Sequence, residues 1–327
     1  MNQAASPRLL NVAANPHLRG GGTLLRMQLL WLLALTPAAV ASVWVFGWYA
    51  LRVMALAVGV SVALDAVTGR LLPSRDETGN LSSAVMGLLL AMLLPVNAPW
   101  WLVVVGCLLT IVVGKRLFGG WGAHPVHPVA LAYAMLAVSW PARLDLTASL
   151  AWAPWTTTMV EPLHLVKTLG AEAMASYDQL DLLLGHQVAG TGGGMVLWLA
   201  LGGLLLLVTR EIPWQVPLGF LVGVMLCAWL LEWTAPGRTA SPVFHLLAGN
   251  TMLAAFFLAP EHTNSPVNRW PMLFYGLLGG ILLVLIRAFS IHIDGAAFAV
   301  LLINLCAPLL DRVVPKVAGL TEEDRDA

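Results

Sequence analysis

Apolar residues in this chain come in long blocks separated by short polar breaks. A helix crossing a bilayer needs about 20 mostly apolar residues, each rising about 1.5 Å through a hydrocarbon core about 30 Å thick. Ten blocks meet or approach that length: Leu24–Trp48, Leu51–Val67, Leu81–Leu94, Trp100–Val113, Pro128–Val138, Met195–Val208, Val216–Trp233, Val243–Leu258, Met272–Ile286 and Ala296–Leu309. The third, fifth and tenth are short, so their ends are expected to run into Gly/Pro-rich flanks or to stop within the membrane. The predicted fold is all-α, a polytopic membrane protein of about ten transmembrane helices. It divides into a cytoplasmic segment 1–23, a membrane domain 24–312 and a cytoplasmic tail 313–327.

Composition agrees with this reading and narrows it. Hydrophobic residues are 59% of the chain and charged residues 10%, against about 25% charged in soluble domains. Lys+Arg and Asp+Glu are 17 each, which leaves no basic footprint for nucleic acid. The expected partners are the lipid bilayer and other membrane proteins. Cys107, Cys227 and Cys306 sit inside apolar runs without paired spacing, so neither a disulfide framework nor a zinc or iron–sulfur site is expected. With the N-terminus inside, twelve of the 17 Lys and Arg residues fall on one side. Short cytoplasmic loops retain positive charge, so both termini are predicted in the cytoplasm of a multi-pass bacterial inner-membrane protein, and the long 141–194 connection is predicted to be extracytoplasmic.

Two stretches follow one script: an apolar helix ending in Pro, a polar loop, a second helix ending in a basic residue, an aromatic-plus-small segment and a third helix. The first runs from Gly87 through Pro95, Lys115, Arg116 and Phe118-Gly119-Gly120 to Trp140. The second runs from Ala254 through Pro260, Arg287, Phe289 and Asp294-Gly295 to Pro308. These are spans three to five and eight to ten; five spans separate them, so they should cross in opposite senses. In inverted repeats of this kind, binding sites form where helices are interrupted. The stretch Gly119-Gly-Trp-Gly-Ala-His-Pro-Val-His-Pro128 cannot be regular helix, because its prolines lack amide donors. Irregular backbone at membrane depth must be buried in protein or line a cavity.

Ionisable groups inside a bilayer cost about 2.5–3.5 kcal/mol each on insertion scales, and so default to functional candidates. Asp65, Glu232, Asp294 and Asp311 lie near span ends, where interfacial water is the simplest expectation. Asn250, Thr251 and Asn304 lie deeper and read either as interhelical hydrogen-bond partners or as contacts to a cofactor's polar edge. His124 and His127 are three apart, a spacing that could ligate a metal or haem iron on one helical face. Pro125 and Pro128 interrupt that face, so polar lining of a pocket is the expectation and no metal is predicted.

The run Ala84–Pro95, followed by Ala98-Pro-Trp-Trp101, Ile111–Gly120 and Ser139-Trp-Pro141, resembles the RnfD/NqrB family of electron-transport membrane proteins. So do Leu182–His186, Gly202–Leu207 and Ile212–Pro217, then Gly249–Met252, Ala255-Phe-Phe257 and Asp294–Pro308. The resemblance covers about Arg26 to Arg312 and is closest to the RnfD component of the Rnf complex. It implies a ten-helix core, shared with the NqrB component of the sodium-pumping NADH:quinone oxidoreductase, that carries flavin and passes electrons across the membrane beside other redox subunits. It also implies FMN linked to a Thr in the large outer loop, in a pattern like Asp-x-x-Ser-Gly-Ala-Thr followed by Pro-Leu. Here the Pro-Leu is Pro162-Leu163 and the acceptor position is Glu161, with Thr156, Thr157 and Thr158 as substitutes nearby. A carboxylate cannot form the same stable link. Two further family patterns, Gly-x-Asn-x-Phe-Asn-Pro and Gly-Glu-Thr-Ser, read Gly122–Pro128 and Gly193–Val196 here.

The expectation is therefore a membrane subunit of an ion-coupled electron-transport assembly with a non-covalent flavin, FMN or riboflavin. Its candidate contacts are Lys115, Gly119, Gly120, His124 and His127 on one repeat, and Asn250, Thr251, Asp294 and Asn304 on the other. Glycines would permit close backbone approach and Lys would stabilise reduced flavin or phosphate; Asp65 or Asp294 are the candidates for ion coupling. Rival readings are an inverted-repeat transporter that has lost covalent flavin, and a structural scaffold subunit.

Overall fold

The computed structural model describes residues 24–71, 81–152, 159–170, 173, 177–234 and 239–312. Every predicted block is helical, the eighth in two pieces. Helix α1 (Leu24–Phe46) is parted from α2 (Trp48–Leu71) by Gly47 alone, whose φ of 64° ends the first helix at once. Next come α3 (Leu81–Leu93), α4 (Trp100–Leu108), which continues as a π-helix over Leu109–Arg116, and α5 (Pro128–Ser139). The long connection contains α6 (Thr147–Trp152), α7 (Pro162–Leu169) and α8 (Gln179–Leu184). After it follow α9 (Val196–Val208), α10 (Gln215–Thr234), α11 (Pro242–Leu247), α12 (Thr251–Leu253) with a π-helical continuation Ala254–Leu258, α13 (Arg269–Phe289) and α14 (Ala296–Asp311).

Among the described residues four helices, α1, α2, α10 and α13, are long and apolar enough to cross a membrane alone; α3, α9 and α14 are shorter apolar helices. The bundle is turned outward in the way lipid demands. On α10, Leu218, Val222, Leu226, Trp229 and Trp233 recur at three- and four-residue spacing and are all exposed, a continuous apolar stripe that water would not tolerate. Helix α3 is the opposite case. Every residue from Ser82 to Leu93 is buried, so it forms the axis around which α1, α2, α4 and α5 pack.

Between α10 and α13 the contact is made by small residues. A Cβ on Gly219, Gly223, Gly276 or Gly280 would collide with the backbone of the facing helix. In lipid, helix association depends on such close backbone approach rather than on hydrophobic expulsion from water.

The third helices of the two three-helix units run in opposite directions where they meet. In each, the third helix packs along the second, α5 on the π-helical part of α4 and α14 on α13. Between the units α5 and α14 touch, and they run antiparallel. The start of α5 meets the later part of α14, since the His127 N–H donates to Asn304 Oδ1 at 3.0 Å. Farther along α5, Tyr133 and Ala137 share a cavity with Asp294 and Phe298 at the start of α14.

The last part of the long connection, residues 187–194, is buried in the core. Its Thr191 amide and hydroxyl both donate to Leu94 O at 2.7 Å, and the amides of Gly192 and Gly193 donate to Met92 O. Ser42 Oγ donates to Thr191 O from α1. Helix α3, at 13 residues, is only about 20 Å long, and this segment satisfies the carbonyls where it stops short.

Candidate functional site

The candidate residues fall into three separate polar groups. Lys115, at the end of the π-helical stretch, is wholly buried and is spent on the interior. Its Nζ lies 3.2 Å from both Asp65 oxygens, 2.9 Å from Ser82 Oγ and 3.3 Å from Ser83 Oγ. Arg116 reaches the same carboxylate, Nε to Oδ1 at 2.8 Å. Asp65 is 1% exposed and thus does not reach interfacial water as a residue so near a span end would be expected to. Its burial is tolerable because two cations and two hydroxyls surround it. The group locks α2, α3 and α4 together.

The second group lies at the Gly/Pro/His break. Gly119, Gly120 and Gly122 have φ of 106°, 104° and 93°, values that L side chains rarely adopt. They fold the chain back so that His127 caps α5, its Nδ1 accepting from the Ala130 amide at 3.4 Å. That assigns the proton of a neutral His127 ring to Nε2, 3.6 Å from Glu261 Oε2. His124 Nε2 stands 3.8 Å from the other oxygen, Oε1. Asn264 Nδ2 donates to Glu261 Oε2 at 2.6 Å, and Thr263 Oγ1 is 3.1 Å from His124 Nδ1. Glu261 follows the turn after α12, so the break of one unit meets the turn of the other. Asn304 belongs here too, linking the His127 amide to the Tyr275 hydroxyl, to which its Nδ2 donates at 2.6 Å.

Beside this group is a small cavity of about 20 Å³ lined by Gln28, Trp31, Met86, Trp121, His127 and Glu261 among others. Buried Gln28 Nε2 and Trp31 Nε1 have no hydrogen-bond partner among the described residues. Two orphaned donors and a carboxylate thus border one space. The present space, however, holds about one water.

The third group gathers Asn250, Thr251 and Asp294. The eighth block is interrupted at 248–250, where Gly249 has φ 68°, so Asn250 and Thr251 lie at a helix break instead of within a continuous span. The Asn250 amide and Nδ2 donate to Asp294 Oδ2 at 2.8 and 2.7 Å. Thr251 Oγ1 donates to His245 O and Ala248 O. Arg287 pairs with Asp294 Oδ1 at 3.0 Å and also donates to His245 O and Ala248 O, the carbonyls the break leaves open.

Glu161, just ahead of α7, makes no hydrogen bond to any of the three groups and shares a cavity with Asp294 of the third. It is 2% exposed, and neither carboxylate oxygen has a hydrogen-bond partner among the described residues. Burial, and then the nearby Asp145 and Asp294 charges, push its carboxyl up to about 8. Thr156, Thr157 and Thr158 lie outside the described residues. Sequence reasoning missed Glu261 as a site residue; its signal is an acid directly after the helix-ending Pro260, in a loop that otherwise reads as a plain turn. Among the described residues no group of three or more His, Cys, Asp or Glu could hold a metal ion.

Two three-helix units whose third helices, α5 and α14, run antiparallel, with buried polar groups at the breaks 119–127 and 248–250, belong to an all-α polytopic membrane protein. Its sequence places it more narrowly: residues 11–319 match the NQR2, RnfD, RnfE family, and the chain belongs to that family. It is 35% identical to the D subunit of the ion-translocating oxidoreductase complex of Vibrio cholerae serotype O1, over 92% of this chain and 96% of the relative. It is 33% identical to the D subunit of the Na(+)-translocating ferredoxin:NAD(+) oxidoreductase complex of Acetobacterium woodii, over 97% and 98%. The corresponding protein of Salmonella typhimurium is 33% identical over 95% and 99%.

Proposed function

We propose that the chain is a membrane subunit of an ion-coupled electron-transport complex, working beside other membrane and redox subunits in the bacterial inner membrane with both termini in the cytoplasm. Family membership, relatives named as D subunits of ion-translocating oxidoreductases, and the basic asymmetry of the loops support this reading. A flavin held without a covalent link is its cofactor. When bound, it supplies the reversible electron uptake that no side chain here offers.

One observation carries the location of that site: the two unpartnered buried donors, Gln28 Nε2 and Trp31 Nε1, beside the interrupted segment. These donors would orient an acceptor-bearing ring edge, and Glu261 between His124 and His127 would hold a proton close to it. Trp31 and Trp121 line the same space and would exclude water from it. Lys115 serves the Asp65 ion group instead of the cofactor.

The test is flavin content of the protein purified from its complex in mild detergent. Flavin should be released on denaturation, and Gln28→Leu with Trp31→Phe should lower retention about tenfold, the effect of removing two hydrogen bonds. The peptide Leu144–Lys167 should carry no FMN mass, because Glu161 offers no hydroxyl. Full retention in the double variant would place the flavin elsewhere, and an FMN increment on that peptide would make the attachment covalent.

A further inference from the structure

We propose that the cavity at the junction of α5, α7 and α14 binds a small organic cation, a quaternary ammonium or protonated amine, through the Glu161 carboxylate. The inference goes beyond the electron-transfer reading and stands without it.

The cavity measures about 350 Å³ and is lined by Tyr133, Leu144, Asp145, Glu161, Asp294 and Phe298 among others. That is the lower end of the range for small-molecule pockets. Its floor is a charge problem. Glu161 is buried and, among the described residues, nothing donates a hydrogen bond to either of its oxygens, a state that costs heavily unless a proton or a cation neutralises it. The nearby charged side chains make matters worse, since Asp145 and Asp294 are also acidic.

Basic groups of the surrounding elements are otherwise engaged. Arg287 is held by Asp294 and by the carbonyls of His245 and Ala248. Lys167 donates to the carbonyls of Ser290 and His292. Among the described residues Glu161 shares the cavity with Asp145, with Asp294, which Arg287 already pairs, and with the imidazoles of His164 and His292, and no hydrogen bond reaches its oxygens from any of them.

The walls select the kind of cation. Tyr133 and Phe298 are aromatic lining residues, and the His292 ring stacks on one face of Phe298 with centroids 4.3 Å apart. Aromatic walls attract weakly hydrated organic cations. Hard metal ions instead need six or more oxygens close around them, and no such ligand group occurs among the described residues.

Titration of the site should be coupled to binding. The groups facing Glu161 are Asp145 and His164 from the long connection, Tyr133 from α5, and His292 and Asp294 ahead of α14. Burial holds the empty Glu161 protonated up to about pH 8, so an incoming cation displaces that proton into solvent. Affinity therefore rises as pH rises toward that value.

The experiment uses the full-length protein in nanodiscs and a hydrophobic carbodiimide, which modifies protonated buried carboxyls. Modification of Glu161 is followed by mass spectrometry of the peptide Leu144–Lys167. Saturating tetramethylammonium should slow modification about tenfold, whereas neutral 2,2-dimethylpropanol, of similar bulk, should not; a desolvated charge pair supplies discrimination of that order. Calorimetric binding of tetramethylammonium should release protons and weaken about tenfold or more in Glu161→Gln, which keeps the side chain's shape. Thermal unfolding of that variant confirms that it is folded. Equal protection by cation and alcohol, protection by neither, or unchanged binding in Glu161→Gln would overturn the proposal.

Discussion

The backbone amide of His127 donates to Asn304 Oδ1 at 3.0 Å across 177 residues of chain, while the Asn304 amide nitrogen donates to Tyr275. One side chain thereby closes the first turn of α5 onto the other repeat. Replacing it with Leu fills the same space but leaves a buried N–H without an acceptor. Asn304→Leu should lower stability by about 1–3 kcal/mol, read as a fall in thermal midpoint in detergent. Tyr275→Phe, which strips only the acceptor of the second bond, should cost less.

The ion group around Asp65 makes a sharper prediction. Two cations, Lys115 and Arg116, meet at one carboxylate, Asp65, buried to 1% exposure. Asp65→Asn should destabilise by about 3–5 kcal/mol, because it removes the carboxylate that the buried Lys115 ammonium and the Arg116 guanidinium both contact. Asp65→Leu combined with Lys115→Met removes the most deeply buried pair together and should recover much of that loss. Accumulation of folded protein, scored by monodisperse elution in detergent, separates the two outcomes.

The α10–α13 seam should tolerate no added bulk. Gly280→Leu would drive a side chain into the Phe220 carbonyl and neighbouring backbone, with an overpacking loss of about 1–3 kcal/mol or more. Gly59→Leu on α2, where nothing lies within 4 Å, is the control and should change little. Thermal midpoints of the two variants against the parent decide it.

Glu161 predicts a pH dependence with a definite sign. Its carboxyl, at 4.5 when unperturbed, is pushed up to about 8 in the folded protein. The folded state therefore holds the proton more tightly than the unfolded state does, and the stability this confers is present below about pH 4.5 and lost as pH rises toward 8. Glu161→Gln, which cannot ionise, should be more stable than the parent above about pH 8 by about 1–3 kcal/mol. The two melting curves should converge in acid, in the absence of added organic cations.

Much of the architecture was legible because a membrane helix needs only a long apolar block, and all ten blocks are helical. The break at 248–250 was not, since Leu-Leu-Ala-Gly-Asn sits inside a continuous apolar run and is broken by a tertiary demand, the Arg287 and Asp294 contacts. The glycine and proline punctuation between Gly119 and Pro128 did announce an interruption, because those residues carry their backbone preference with them. Which polar residues meet was hidden. Lys115 and Asp65 are 50 residues apart, and His127 and Glu261 come from different repeats; only the packed bundle brings such pairs together.

The contact of Thr191 with Leu94 also bears on how the protein is made. Its partners are 97 residues apart, and a ribosome adding about 5–20 residues per second leaves about 5–20 seconds between their appearances. Throughout that interval α3 has emerged with its final carbonyls open and with less length than the bilayer requires. It must wait beside the insertion machinery, or under a companion protein or chaperone, until the far side of the long connection returns to seal it. Truncations ending before Gly194 should for that reason be cleared by membrane proteases, while those reaching past α9 should persist.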